Sequence, residues 1–220
     1  MIRKINGKRN DMAVSPVVGV MLMLVVTIII ASIVSSLSGT LVGSEKTAPQ
    51  SQIAVGYDVQ ITDTDKTNNV SDSPRNNNRF TFRLSGGEPI SLDNIMIELN
   101  EGDSSMKFTS DTVLNSSNAA VEEGNSLELY ENKAGNSTYF AVSPGMSDIV
   151  GVGDTFMLVA DDSYDSTLAT DDSIEKGRFL TWTPEGSSGT FKAQYNVPLE
   201  YIIYDTISNK QIQSGTIILQ

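Results

Sequence analysis

The feature that most limits this chain is a run without any charged residue from Met12 to Ser44, bounded by Asp11 and Glu45. Its apolar centre, Val17 to Leu37, is roughly 21 residues, and at ~1.5 Å per residue this crosses a ~30 Å hydrocarbon layer as one helix. Thirteen of those residues are Val, Leu or Ile, each favouring insertion by ~0.3–0.6 kcal/mol, which places the segment in lipid by roughly 4–8 kcal/mol before its Ser and Thr are subtracted. The residues after it then lie on one side of a membrane.

The flanks give the direction. Arg3, Lys4, Lys8 and Arg9 precede the run against one acid, Asp11, and the positive-inside bias keeps such a leader in the cytoplasm. Ser15 and Pro16 predict the helix start, because Ser caps orphan amides and Pro at the first helical position has a preset φ and no N–H to leave unpaired. By hydropathy alone this terminus reads in two ways. One is a secretory signal peptide cut near Ser36-Leu37-Ser38, although its apolar stretch exceeds the 7–15 residues usual for that class. The other is an uncleaved signal anchor carrying a free ectodomain.

A third reading comes from a resemblance. The order of basic leader, Asp11-Met12-Ala13, Val14-Ser15-Pro16-Val17-Val18-Gly19-Val20 and then an Ile/Val/Leu/Met run resembles the amino terminus of archaeal type IV pilins. The resemblance implies that a prepilin peptidase cuts between Ala13 and Val14, with Met12 standing where such sites more often carry a charge. It also implies that the helix left behind assembles a filament core with other copies of the chain, driven by a type IV pilus assembly machinery. Where bacterial pilins have a glutamate near the mature start, this chain has Val18. Removing residues 1–13 takes away four basic residues and one acidic one, leaving 11 Lys+Arg against 26 Asp+Glu, a formal −15.

Composition limits the remainder. The 220 residues carry a formal net charge of −12 and contain no Cys and no His. That length accommodates one anchor helix and one domain of ordinary size. Lack of Cys and His removes disulfides, the usual zinc sites and every His-dependent triad, so no cofactor or metal is expected. An acidic ectodomain is a poor partner for nucleic acid, whose phosphates need Lys and Arg. The domain layout expected is a leader over 1–13, a transmembrane and assembly helix over 14–43, a hinge over 44–52 with Pro49, and a β-rich head over 53–220.

Within the helix, Ala31, Ser35, Gly39 and Gly43 recur at i+4. This small-residue stripe either lets helices approach closely or, at its two glycines, frays the helix into the linker. From Ile53 the period changes to two, with Ile53, Val55, Tyr57, Val59 and Ile61 alternating. Further strands are expected at Arg79–Leu84, Asn94–Leu99, Ser126–Tyr130, Thr138–Val142, Thr155–Ala160, Thr190–Tyr195, Leu199–Asp205 and Lys210–Leu219, with a polar loop over Asp63–Asn78. The class expected is α+β, a long amino-terminal helix followed by an all-β antiparallel sandwich-like head. Phe82–Asp93 also resembles a strand, double-glycine turn and following strand of archaeal pilin heads, Gly153-Asp154-Thr155-Phe156 the turn that opens a later strand, and Tyr204–Ile212 the closing hairpin.

Little in the head points to chemistry. Asp161, Asp162, Asp165, Asp171 and Asp172 form the densest carboxylate cluster, without the glycine and terminal glutamate of a calcium loop, and read as a solvated acidic loop. Trp182, Tyr195, Tyr201 and Tyr204 read as strand packing ahead of sugar binding. Asn69, Asn115 and Asn136 each open an N-glycosylation sequon. The function expected is a non-enzymatic pilin-like subunit of a surface filament used in adhesion, spanning the membrane once before assembly. A monomeric membrane-anchored binding protein and an archaellin-type motility subunit are the alternatives.

Overall fold

In the computed structural model, residues 16–42, 46–59, 78–115, 127–167 and 176–220 are described. The chain divides into two compact units between Lys46 and Thr47. The first contains one α-helix, α1 (Pro16–Val42), whose 27 residues include no acidic or basic side chain.

The second unit is built from antiparallel strands: β1 (Ser51–Val59), β2 (Asn78–Gly87), β3 (Ile90–Ser91), β4 (Ile95–Glu101), β5 (Ser104–Phe108), β6 (Glu128–Glu131) and β7 (Ser137–Val142). They continue as β8 (Ile149–Val150), β9 (Thr155–Val159), β10 (Asp162–Asp165), β11 (Arg178–Trp182), β12 (Phe191–Gln194), β13 (Pro198–Asp205) and β14 (Lys210–Ile218). The fold is therefore α+β, an apolar helix followed by a sheet-built head.

Two larger sheets supply the layers, one in the order β1-β2-β9-β7-β6 and one in the order β14-β13-β4-β5. The side-chain period of a strand explains their inner faces. Phe80, Phe82 and Leu84 of β2, Ile95, Ile97 and Leu99 of β4, and Leu199, Tyr201 and Ile203 of β13 are all buried at every second position. In β9 the continuous run Phe156-Met157-Leu158-Val159 is buried on both faces, as suits an inner strand flanked by β2 and β7. Phe82 and Tyr201 meet edge to face across the two layers with ring centroids 6.3 Å apart.

A three-stranded sheet, β10-β11-β12, closes the same core with Trp182. The indole is fully buried, stacks on Phe80 at 5.7 Å, meets Phe108 at 6.2 Å, and donates Nε1–H to Val159 O at 2.9 Å. The tryptophan and Tyr201 thus serve core packing, as expected for strand aromatics. Gly215 lies opposite Tyr201 in the β13–β14 ladder, and a Cβ there would come within 2.6 Å of the phenol oxygen. The aromatic ring takes the space that a side chain would need.

The strand expectations need three corrections. β1 begins at Ser51, two residues ahead of Ile53, because Gln52 and Ser51 pair with Gly86 and Gly87. The acidic stretch expected as a loop instead contributes β10, paired with β11, and Asp161 beside it is buried. β3, β5, β8 and β11 were not foreseen from periodicity: β3 and β8 are two residues each, and neither Ser-Ser-Met-Lys-Phe nor Arg-Phe-Leu-Thr-Trp alternates cleanly.

Candidate functional site

The helix is apolar around its whole circumference. No residue from 16 to 36 is buried, and its Val, Leu, Ile and Met side chains are exposed by amounts from 46% at Val18 to 71% at Met23. An all-apolar helix suits lipid or other helices as its surroundings, and Pro16–Ser36 alone is long enough to span a membrane. Its hydroxyls fit that role. Thr27 Oγ1 donates to Leu24 O at 2.8 Å and Ser32 Oγ donates to Ile28 O at 2.7 Å, so these polar groups are satisfied within the helix.

Ala31 and Ser35 are exposed on this helix, and Gly39 lies within its backbone, which continues helical to Val42. Ala31, Ser35 and Gly39 are displaced by only about 40° from one to the next around the axis, so these three share one face. Pro16 is the first described helical residue; Ala13, Val14, Ser15 and Gly43 lie outside the described residues.

In the second unit, the start of β1 is a tightly held strand root. Glu88 N–H donates to Gln50 O at 3.0 Å, the Glu88 carboxylate accepts Gln50 N–H at 3.0 Å, and Ser51 Oγ donates to Glu88 O at 2.7 Å. Gly87 makes this corner possible: its φ is +97°, and a Cβ would sit 2.0 Å from Gln50 O. On the opposite edge of β1, Ile53 N–H donates to Gln213 Oε1 at 2.9 Å while Gln213 Nε2 donates to Ile53 O at 2.7 Å. The double glycine announces the corner in sequence. Nothing in the sequence singles out Glu88 or Gln213 as its fasteners.

Residues 12–53 match the model of the archaeal type IV pilin amino-terminal family, which therefore covers the helix and ends inside this strand root. Its amino-terminal segment is that of an archaeal type IV pilin. Among curated proteins none matches the chain.

In the head, the described carboxylates of the acidic stretch bond to separate donors. Asp161 accepts Tyr139 O–H at 2.7 Å and Thr183 N–H at 2.6 Å; Asp162 accepts Ser163 N–H at 2.7 Å; Asp165 accepts Thr167 Oγ1–H at 2.6 Å and Arg178 Nε–H at 2.8 Å. Those bonds from Thr167 and Arg178 hold the Asp165 carboxyl down at about 2. Among the described residues no three His, Cys, Asp or Glu converge as a metal site, and Asp171 and Asp172 lie outside them.

A second polar group, missed in the sequence, joins Asp93 to Lys133 Nζ at 2.8 Å and to Tyr130 Oη at 2.7 Å. Bonding to Lys133 first and Tyr130 second lowers the Asp93 carboxyl, while burial and that carboxylate raise the Tyr130 phenol. It fastens β6 to the 3₁₀ turn Leu92–Asn94. Of the sequons, Asn69 lies outside the described residues, Asn115 is half-buried, and Asn136 is exposed at the β6–β7 turn. Tyr195 and Tyr204 are half-buried, the former with burial raising its phenol to about 12.

Proposed function

We propose that this chain is a structural subunit of an archaeal-type surface filament, made as a membrane-inserted precursor and used in adhesion. The observation that carries it is a segment matching the pilin family whose helix, over residues 16–36, is apolar on every side with no residue buried. Arg3, Lys4, Lys8 and Arg9 hold the precursor with its leader in the cytoplasm, and a prepilin peptidase cuts between Ala13 and Val14. The freed helix, residues 14–43, then exchanges lipid for sister helices through a type IV pilus assembly machinery. Ala31, Ser35, Gly39 and Gly43 allow close approach between them. Residues 44–52 act as the hinge, and the head over 53–220 faces outward with glycans at Asn69, Asn115 and Asn136. Nothing in this role asks for catalysis, a cofactor or nucleic acid.

The test is mass spectrometry of the protein from producing cells together with composition of purified surface fibres. A mature terminus at Val14 and the polypeptide in the fibres are expected. An intact Met1 or fibres lacking the chain would favour a solitary anchored protein, and a terminus after Ser38 would favour a secreted one released from a signal peptide. Replacing Ala13 with Trp is expected to block maturation, leaving the leader attached.

A further inference from the structure

The β6–β7 hairpin displays one half of a modification signal and hides the other. Asn136 is exposed and borders a shallow cleft with Met106, Lys107, Asp111 and Glu185, so a bulky group on its side chain has room. Thr138, whose hydroxyl completes the Asn-Ser-Thr sequon, has no exposed surface. Its Oγ1 donates to Tyr130 O at 2.9 Å and accepts Phe140 N–H at 3.2 Å.

The backbone between them is equally occupied. Asn132 N–H donates to Asn136 O at 3.0 Å, and Asn136 N–H donates to Asn132 Oδ1 at 3.0 Å. Leu114 N–H donates to Ser137 O at 3.0 Å, and Val113 forms an isolated bridge with Thr138. A transferase that reads both the asparagine and the hydroxyl two residues on must lift this tripeptide out of the sheet. Such a lift requires local opening of the hairpin.

We propose that Asn136 accepts an N-linked glycan only while the β6–β7 hairpin is open, so that folding of the head shuts the acceptor and fixes the order of modification before closure. This rests on the reading of the head as an outward-facing, glycosylated domain. In the step itself, Asn136 Nδ2 bonds to the anomeric carbon of a lipid-linked glycosyl phosphate. The carbon–oxygen bond to phosphate breaks, the lipid phosphate leaves with that electron pair, and one amide proton passes to a base of the transferase. After closure the glycan remains outside because Asn136 does.

The experiment presents three acceptors to membranes of the producing cells, which carry their own donor: the folded full chain in detergent, the full chain with Phe80→Ala and Trp182→Ala to empty the core, and a peptide of residues 130–140. Peptide mapping reads modification at Asn136, and hydrogen exchange verifies which full chain is folded. The open chain and the peptide are expected to be modified faster than the folded chain by more than about ten-fold, the protection expected of a closed hairpin. Equal modification of folded and open chains overturns the order while leaving Asn136 an acceptor. Absence of modification in all three, with an unrelated sequon peptide modified by the same membranes, overturns the glycan reading itself.

Discussion

The side-chain amide of Gln213 holds Ile53 by both of its backbone groups, taking its N–H at 2.9 Å and giving a hydrogen bond to its carbonyl at 2.7 Å. The carboxamide stands in for a strand's peptide at the seam between β1 and β14, and Tyr201 Oη, 3.0 Å from Nε2, keeps it in place. An edge strand with spare donors and acceptors is open to unwanted pairing, so a fixed amide there also blunts the edge.

Gln213→Ala removes both bonds and leaves a part-buried peptide unpaired. A loss of about 1–3 kcal/mol is expected in urea denaturation of the head. Hydrogen exchange at Ile53 should quicken more than exchange at Phe82; unchanged exchange at Ile53 would show that water replaces the amide without cost.

Gly86 and Gly87 separate cleanly. Alanine at 87 meets Gln50 O at 2.0 Å in a backbone with φ +97°, whereas alanine at 86 finds only Gln52 Oε1, 3.9 Å away. The left-handed conformation alone costs about 1–2 kcal/mol, so Gly87→Ala should destabilise by more than that, and Gly86→Ala by about 0.5 kcal/mol or less. Thermal denaturation of the two variants side by side decides it.

Trp182→Ala empties the point where β11 meets Phe80, Phe108 and Phe191, and about 3–5 kcal/mol should be lost. Trp182→Phe keeps part of the volume but strands the Val159 carbonyl, which makes it the intermediate case in the same denaturation series.

Acid should weaken the head in a defined window. Asp165 and Asp93 both titrate lower in the folded head than the ordinary 3.8, so each contributes stability above that value and loses it as pH falls through its folded value, about 2 for Asp165. Melting temperature is expected to fall between pH 4 and pH 2, and Asp165→Asn should flatten that fall. An unchanged slope in the variant would mean that Arg178, more than half exposed, contributes little to folding.

Val26→Asp places a carboxylate mid-way along the apolar helix. The penalty of about 2.5–3.5 kcal/mol at the bilayer centre is smaller than the roughly 4–8 kcal/mol that favours insertion, so the variant should insert less well yet remain largely membrane-bound, and should be depleted from fibres, where the carboxylate would be packed among apolar helices. Val26→Ile should behave as the natural chain does.

Legibility in the sequence followed how many surfaces each segment answers to. The helix was plain because its composition has one cause, an apolar surrounding on all sides. β2, β4, β9 and β13 were plain because alternation or continuous burial reports one or two buried faces. β10 was not, since Asp161 and Asp165 look solvated until Tyr139 of β7, Thr183 just past β11 and Arg178 of β11 bond to them. The same holds for Glu88 and Gln213. Their partners are 38 and 160 positions away, and side-chain-to-backbone bonds of that span leave no periodic trace.

Thr27 and Ser32 have a consequence for a rod that changes its surroundings. Each hydroxyl already bonds a carbonyl of the preceding turn, so passage from acyl chains to protein neighbours neither breaks nor requires a polar contact at these sites. The helix carries its own hydrogen bonding with it, and what differs between the two environments at those two positions is only how closely carbon packs against carbon.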